Sequence, residues 1–338
     1  MNDVRPDNPL VLFRDAIWRP TSASMRVLAL AGVIVNAGII VTGAAVRVTG
    51  SGLGCPTWPK CTGASLVPTH TSHGLNMAIE FGNRLLFFVV FAVGVALFVA
   101  ARRLRPRRRD IVTLALIQPL SVVAQAIMGG ITVLTKLHPA SVSAHFLLSI
   151  ALLAAAVTLW VRTGEGDETP RPVARTELLW VGRGLVAVVA ALLLVGTIVT
   201  GTGPHAGDAK ARRWGFDLEQ VAQLHVDFVW ATVGLTFALL LGLRLTGAPR
   251  PAQHRALELL LIELAQGAIG YVQYFTNVPA ALVAAHVLGS TLVWIATLRV
   301  VFALRDRGDI PGREMKEPLP GVDPTRVDAV PGVHPASR

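Results

Sequence analysis

Long apolar runs separated by short basic segments set the plan of the chain. At about 20 residues per bilayer crossing, they predict eight transmembrane helices over 26–46, 76–101, 111–134, 142–162, 184–202, 220–245, 257–275 and 281–303. The first 25 residues are polar and carry Arg5, Arg14 and Arg19, with no short apolar core and no small-residue cleavage site. The first apolar run is therefore expected to remain as an anchor. From Arg305 onward the chain is rich in Pro, Gly and charge and lacks apolar periodicity, which predicts a disordered extension.

The basic segments orient the helices. RRLRPRRRD (Arg102 to Asp110) lies between the second and third spans, and each Arg would cost several kcal/mol to carry through hydrocarbon. Placing it in the cytoplasm puts both termini there too. It also places Arg162, Arg171, Arg175, Arg183, Arg244, Arg250 and Arg255 inside. The expected external loops are 47–75, 135–141, 203–219 and 276–280.

Composition narrows the class. Of 338 residues, 52% are apolar and 15% charged, with a net charge of +10 and a mean hydropathy of +0.55. This excludes a disordered chain, a nucleic-acid-binding domain and most cytosolic enzymes. The positive charge sits in loops rather than in basic stripes with interleaved aromatics, so no nucleic-acid partner is expected and the lipid bilayer is.

Cys55 and Cys61, the only two cysteines, both fall in the first external loop. A disulfide is the default on the oxidising side of a membrane, with a free dithiol of redox or metal-binding role as the alternative. A structural zinc site is disfavoured, because only His70 and His73 lie near enough to complete it.

The chain repeats itself. AQAIMGGITVLTKLHPASVSAH (Ala124 to His145) and AQGAIGYVQYFTNVPAALVAAH (Ala265 to His286) align without a gap. The first and fifth spans share the exits Val41-Thr42-Gly43 and Val199-Thr200-Gly201. The expected architecture is an all-α polytopic membrane protein of two parallel-repeat four-helix bundles, N-in and C-in. Its parts are a cytoplasmic segment 1–25, a bundle 26–162, a linker 163–183, a bundle 184–303 and a tail 304–338. A transporter would instead be expected to show broken helices and inverted topology.

The repeat sorts the nine histidines. His145 and His286 are equivalent; counting back 61 residues from His286 reaches His225, and 62 from His145 reaches Asn83. Imidazole inside a bilayer is costly unless paired or ligated. His225 and His286, read as lying on neighbouring antiparallel helices at one depth, suit the two axial positions of a haem iron; an interhelical hydrogen bond is the plainer alternative. His145 faces no such partner, since Asn83 is a poor iron ligand. Glu80 lies one turn from Asn83, with Arg84 as its adjacent partner for either a functional or a structural pair. Arg47 suits a haem propionate or a snorkelling role at the interface. His70, His73, His138 and His205 are placed in or near external loops, and His254 and His334 on the cytoplasmic side.

TGSGLGCPTWPKCTG (Thr49 to Gly63), IEFGNRLL (Ile79 to Leu86) and the spaced His145, His225 and His286 resemble the haem A synthase family across essentially residues 26–303. The resemblance implies oxidation of the methyl group at position 8 of haem O to a formyl group. It implies haem b held by His225 and His286, substrate porphyrin in the N-terminal half near His145, and Glu80 near the reacting edge as the catalytic residue. It also implies a disulfide between Cys55 and Cys61, and partnership with haem O synthase and oxidase assembly factors; homo-oligomerisation stays open. One residue departs from the pattern: the family's Glu-x-x-His-Arg reads Glu80-Phe81-Gly82-Asn83-Arg84 here, which removes a second-helix histidine from the substrate site. The rival reading is an electron-carrying cytochrome b, which would be expected to have two complete ligand pairs.

Overall fold

The computed structural model describes residues 20–68 and 74–310. It contains helices α1 (Ser22–Val48), α2 (Gly74–Arg103), α3 (Arg109–Leu134), α4 (Pro139–Thr163), α5 (Thr176–Thr202), α6 (Leu218–Leu245), α7 (Arg250–Phe275) and α8 (Ala280–Ala303). All eight expected helices are present, each longer than the apolar run that predicted it. A helix needs only continuous backbone bonding, so it continues into charged turns that hydropathy excludes. α5 thus begins at Thr176, inside the expected linker, and Thr163 belongs to α4.

Seven of these helices are long and apolar enough to cross a membrane. α7 lies where the seventh run was expected but is less apolar, because Glu258 and Glu263 interrupt that run and Arg250, His254 and Arg255 precede it. It joins the fold through its neighbours, packing along α8 and α6. Local chemistry sets several helix starts. Thr21 and Ser24 form a capping box on α1, Asp217 accepts the Gln220 N–H on α6, and His138 Nδ1 accepts the Ala140 N–H on α4.

The helices form two rings. In the first, α1 packs on α2, α2 on α3, α3 on α4 and α4 back on α1; α5 to α8 repeat that cycle. The rings meet through α1 with α8, α4 with α8, and α4 with α5. Exchanging α1 with α5 and α4 with α8 maps this set of contacts onto itself, as a pseudo-two-fold relation requires. Leu153, Val157, Leu185, Val189, Leu239 and Val300 fill the core between and within the rings. Trp294 of α8 donates its indole N–H to the Ile150 carbonyl of α4 across that boundary.

The repeat extends to the turns. Lys136 and Leu137 between α3 and α4, and Asn277 and Val278 between α7 and α8, all have positive φ. Leu137 N–H donates to Thr132 O, and at the matching place Val278 N–H donates to Gln273 O. Four non-glycine residues in the left-handed region are uncommon, so one strained turn has been kept twice.

The two ends of the molecule differ in chemistry. At one, the segments entering α3, α5 and leaving α8 converge. Arg108 pairs with Asp167 at 2.7 Å, Arg162 with Asp110 and Glu165, and Arg305 with Glu165 at 3.1 Å. Arg171 and Pro172 pair as a short antiparallel strand β1 with Asp306 and Arg305 in β2. This corrects the expected tail: residues 305–310 are ordered, because the linker supplies backbone and charge partners, and the rest of the tail lies outside the described residues. The Arg162 guanidinium is buried while Asp110 is half exposed. Arg162→Ala is therefore expected to cost about 2–3 kcal/mol by leaving clustered carboxylates without their cation, read as a lower melting temperature in detergent.

Candidate functional site

Four side chains define the interiors of the two rings, and each lies on an even-numbered helix. His225 is on α6 and His286 on α8. These helices are not the neighbouring antiparallel pair expected from sequence. They run the same way and stand diagonally across the second ring, separated by α5 and α7. The diagonal is the better geometry for holding something between them, because facing side chains there meet at the bundle centre.

The two imidazole rings are 6.3 Å apart between centroids and inclined by 56°. Two metal–nitrogen bonds of about 2 Å, with half an imidazole on each side, span about 6 Å. Direct hydrogen bonding between the two rings would need them closer. Nδ1 of each ring is buried without a hydrogen-bond partner. Among the described residues no three or more His, Cys, Asp or Glu side chains converge to hold a metal ion by themselves. A porphyrin iron needs only two from the protein, and this pair fits one.

Glycine makes room for each ring. A Cβ on Gly196 of α5 would lie 3.2 Å from His225 Cε1, and one on Gly270 of α7 would lie 3.2 Å from His286 Cε1. In the first ring Gly129 of α3 stands against His145 in the same way, at 3.4 Å. An amide contact is repeated too: Gln266 Nε2 donates to His286 O at 2.8 Å, and Gln125 Nε2 to His145 O at 3.5 Å and to Ser149 Oγ at 2.9 Å. These glycines and glutamines were not singled out from sequence. Their signal was present in the aligned repeat, where Gln125 and Gly129 fall on Gln266 and Gly270.

Asn83 of α2 takes the place diagonal to His145. Its Oδ1 accepts the Thr42 hydroxyl of α1 at 2.8 Å. Glu80 lies one turn away and is buried, at 5% exposure. Its Oε2 accepts the Cys55 N–H at 2.7 Å, and its Oε1 accepts Arg84 Nε at 3.1 Å and Arg84 Nη2. Arg84 reaches on to the carbonyls of Cys55, Thr57 and Lys60. Cys55 and Cys61 are joined in a disulfide, and both are fully buried. The carboxylate–guanidinium pair thus fastens the disulfide loop to α2, and Trp58 of that loop lies on Gly130 of α3, where a Cβ would come within 2.5 Å of the indole.

Arg47 is occupied elsewhere. Its Nε donates to His205 O at 2.6 Å and its Nη2 to Thr200 O at 2.9 Å. It joins the two rings at the loop end, where Gly52 N–H also donates to Gly207 O. Two of the loop histidines have structural roles: His138 caps α4, and His205 Nε2 meets Val278 O at 2.9 Å. His254 lies on α7, and His70, His73 and His334 lie outside the described residues. Sequence reasoning missed Glu263. It is 5% exposed, accepts the Thr236 hydroxyl of α6 at 2.8 Å, and keeps its second oxygen without a partner.

Two helical rings with imidazoles gathered towards their centres and a disulfide loop at one end define an all-α polytopic membrane protein. The chain belongs to the COX15-CtaA family, cytochrome oxidase assembly proteins, which it matches over residues 26–298. Among similar proteins, the Heme A synthase of Bacillus mycoides (strain KBAB4) is 31% identical over 131 residues, covering 38% of this chain and 41% of the relative. Those of Bacillus cereus (strain AH187) and Bacillus anthracis (strain A0248) are 32% identical over the same shares. The matched region therefore spans less than half the length of these relatives.

Proposed function

We propose that this protein is a haem A synthase, oxidising the methyl group at position 8 of haem O to a formyl group by successive hydroxylations. The observation that carries the reading is the diagonal His225–His286 pair at 6.3 Å, in a chain of the COX15-CtaA family. Haem b held there would supply one-electron transfer out of the substrate site. Haem O would enter the first ring, with its iron on the side of His145. Haem O synthase would supply that substrate, and oxidase assembly would consume the product.

The protein's own residues then have separate tasks. Gly129, Gly196 and Gly270 let the Cε1 edges of the imidazoles approach α3, α5 and α7 closely. Gln125 and Gln266 tie the backbone behind His145 and His286 to the adjacent helix. Glu80 accepts two bonds from Arg84 at Oε1 and one from Cys55 N–H at Oε2, which keeps a second lone pair. It can take a proton from the reacting carbon's substituents without leaving its partners. The disulfide loop is seated at that end through Trp58 on Gly130. In this reading the arginine-rich end faces the cytoplasm and the Cys55–Cys61 loop lies outside the plasma membrane.

Co-expression with a source of haem O, followed by chromatography of the extracted haem, tests the function. Haem A is expected from the native chain, and its complete absence with haem O present overturns the reading. Glu80→Gln keeps a hydrogen-bonding shape but removes the charge, and is expected to lower haem A formation by about 100-fold or more. A normal rate in that variant rejects Glu80 as the catalytic residue.

A further inference from the structure

The fourth diagonal position is the one place where the two rings differ at their centre. Gly196 in α5 has a counterpart at Gly38 in α1, four residues before the threonine of the shared Val-Thr-Gly exit in both helices. A Cβ on Gly196 would press on the His225 ring, whereas a Cβ on Gly38 would meet nothing within 4 Å. The other three glycines of the set each abut an imidazole at 3.2–3.4 Å. Gly38, which is exposed, thus faces open space where Gly196 meets an imidazole.

Asn83 borders this space without filling it. Its side chain is drawn towards α1 by the Thr42 hydroxyl, which donates to Oδ1. In the second ring the matching Thr200 hydroxyl turns back to its own helix, at Gly196 O. Accepting through Oδ1 leaves the two amide hydrogens of Asn83 as donors, and no acceptor takes them among the described residues. A carboxamide is a weak ligand for iron beside imidazole. It is, however, a neutral donor of the kind that decides whether a haem pocket binds small ligands or only passes electrons.

We infer that the first ring keeps, opposite His145, an open position on the substrate iron for a small uncharged ligand with a hydrogen-bond-accepting atom, walled by Gly38 and served by the Asn83 amide. This deepens the proposed function and rests on it in placing haem O in the first ring. The two rings then divide their work by ligand number. The closed His225–His286 pair excludes exogenous ligands, and the His145 side admits them.

The test uses the purified full-length protein reconstituted with haem O, with haem content checked by extraction, chemically reduced and titrated with carbon monoxide. The expected result is a carbon monoxide adduct on the first-ring haem only, while the haem between His225 and His286 keeps its six-coordinate low-spin spectrum. Asn83→His is expected to abolish the adduct and add a second low-spin bis-imidazole signal. Asn83→Leu, which fills the same volume without ligating, is expected to keep the adduct with affinity weakened by no more than about tenfold. An adduct absent from the haem O-loaded native protein, or undiminished in Asn83→His, overturns the inference. These readouts do not need turnover: a protein that makes haem A but binds no carbon monoxide loses only the open position, and one that binds it but makes no haem A loses only the enzymatic reading. Failure to take up haem O in the first ring at all overturns both.

Discussion

Replacing His286 with alanine is expected to abolish the low-spin bis-imidazole signal and to weaken retention of haem by the second ring by more than about tenfold, since even residues behind a metal ligand commonly matter by that factor. The physical reason is the diagonal. His225 reaches the ring centre from α6, and its only counterpart at 6.3 Å is His286 from α8. With His286 gone, Gly270 faces empty space on α7 and no other described histidine stands there to replace it. His225→Ala is expected to behave alike, because Gly196 would lose its neighbour in the same way. The measurement is haem per protein after purification, with low-temperature spin-state spectroscopy on the same sample. His138→Ala serves as a comparison: that residue caps α4, and its loss should leave the spectrum intact. A bis-imidazole signal that persists in His286→Ala would place the ligands elsewhere.

Arg84→Ala is expected to have the largest effect on the loop end. The change removes both donors to Glu80 Oε1 and three contacts to the carbonyls of Cys55, Thr57 and Lys60. Glu80 would remain buried with only the Cys55 N–H. Breaking a buried ion pair in this one-sided way costs about 3–5 kcal/mol, and the partial exposure of Arg84 puts this case at about 2–3 kcal/mol. Thermal unfolding in detergent should show the loss. The disulfide should also become accessible to a membrane-impermeant reductant, since Cys55 and Cys61 are fully buried while the loop is fastened. If Arg84→Ala melts normally and its disulfide stays protected, the pair does not hold the loop. Comparison with Glu80→Gln separates fastening from chemistry: the glutamine can keep its bond to Cys55 N–H, so a loss of haem A formation without loss of stability assigns Glu80 to the reaction.

Much of this architecture was legible in the sequence because a bilayer imposes a simple rule. Backbone groups in hydrocarbon must be satisfied within the segment, so apolar runs of sufficient length become helices, and all eight were found where the runs lie. The least legible helix was α7. Its charges lower its hydropathy, and only its packing between α6 and α8 shows why they are tolerated: Glu258 pairs with Arg255 and Arg299, each at 2.6 Å. Glu263 was missed for the same reason, as one acidic residue in a helix already carrying several. Its neighbour Thr236 lies on another helix, and no local pattern announces that contact.

The sequence by itself determined the helices, the register of the repeat, and the identity of His145, His225 and His286 as matched intramembrane imidazoles. These follow from short-range rules and from alignment of the chain with itself. Only the tertiary structure decided which residues face one another. It set His225 and His286 on a diagonal rather than on adjacent helices, committed Arg47 to the carbonyls of His205 and Thr200, and closed Glu80 into the Arg84–Cys55 network. It also showed room left beside Gly38 where the second ring has an imidazole. Such pairings depend on how helices rotate about their axes and close into rings, and that is settled by packing summed over the whole bundle rather than by any segment alone.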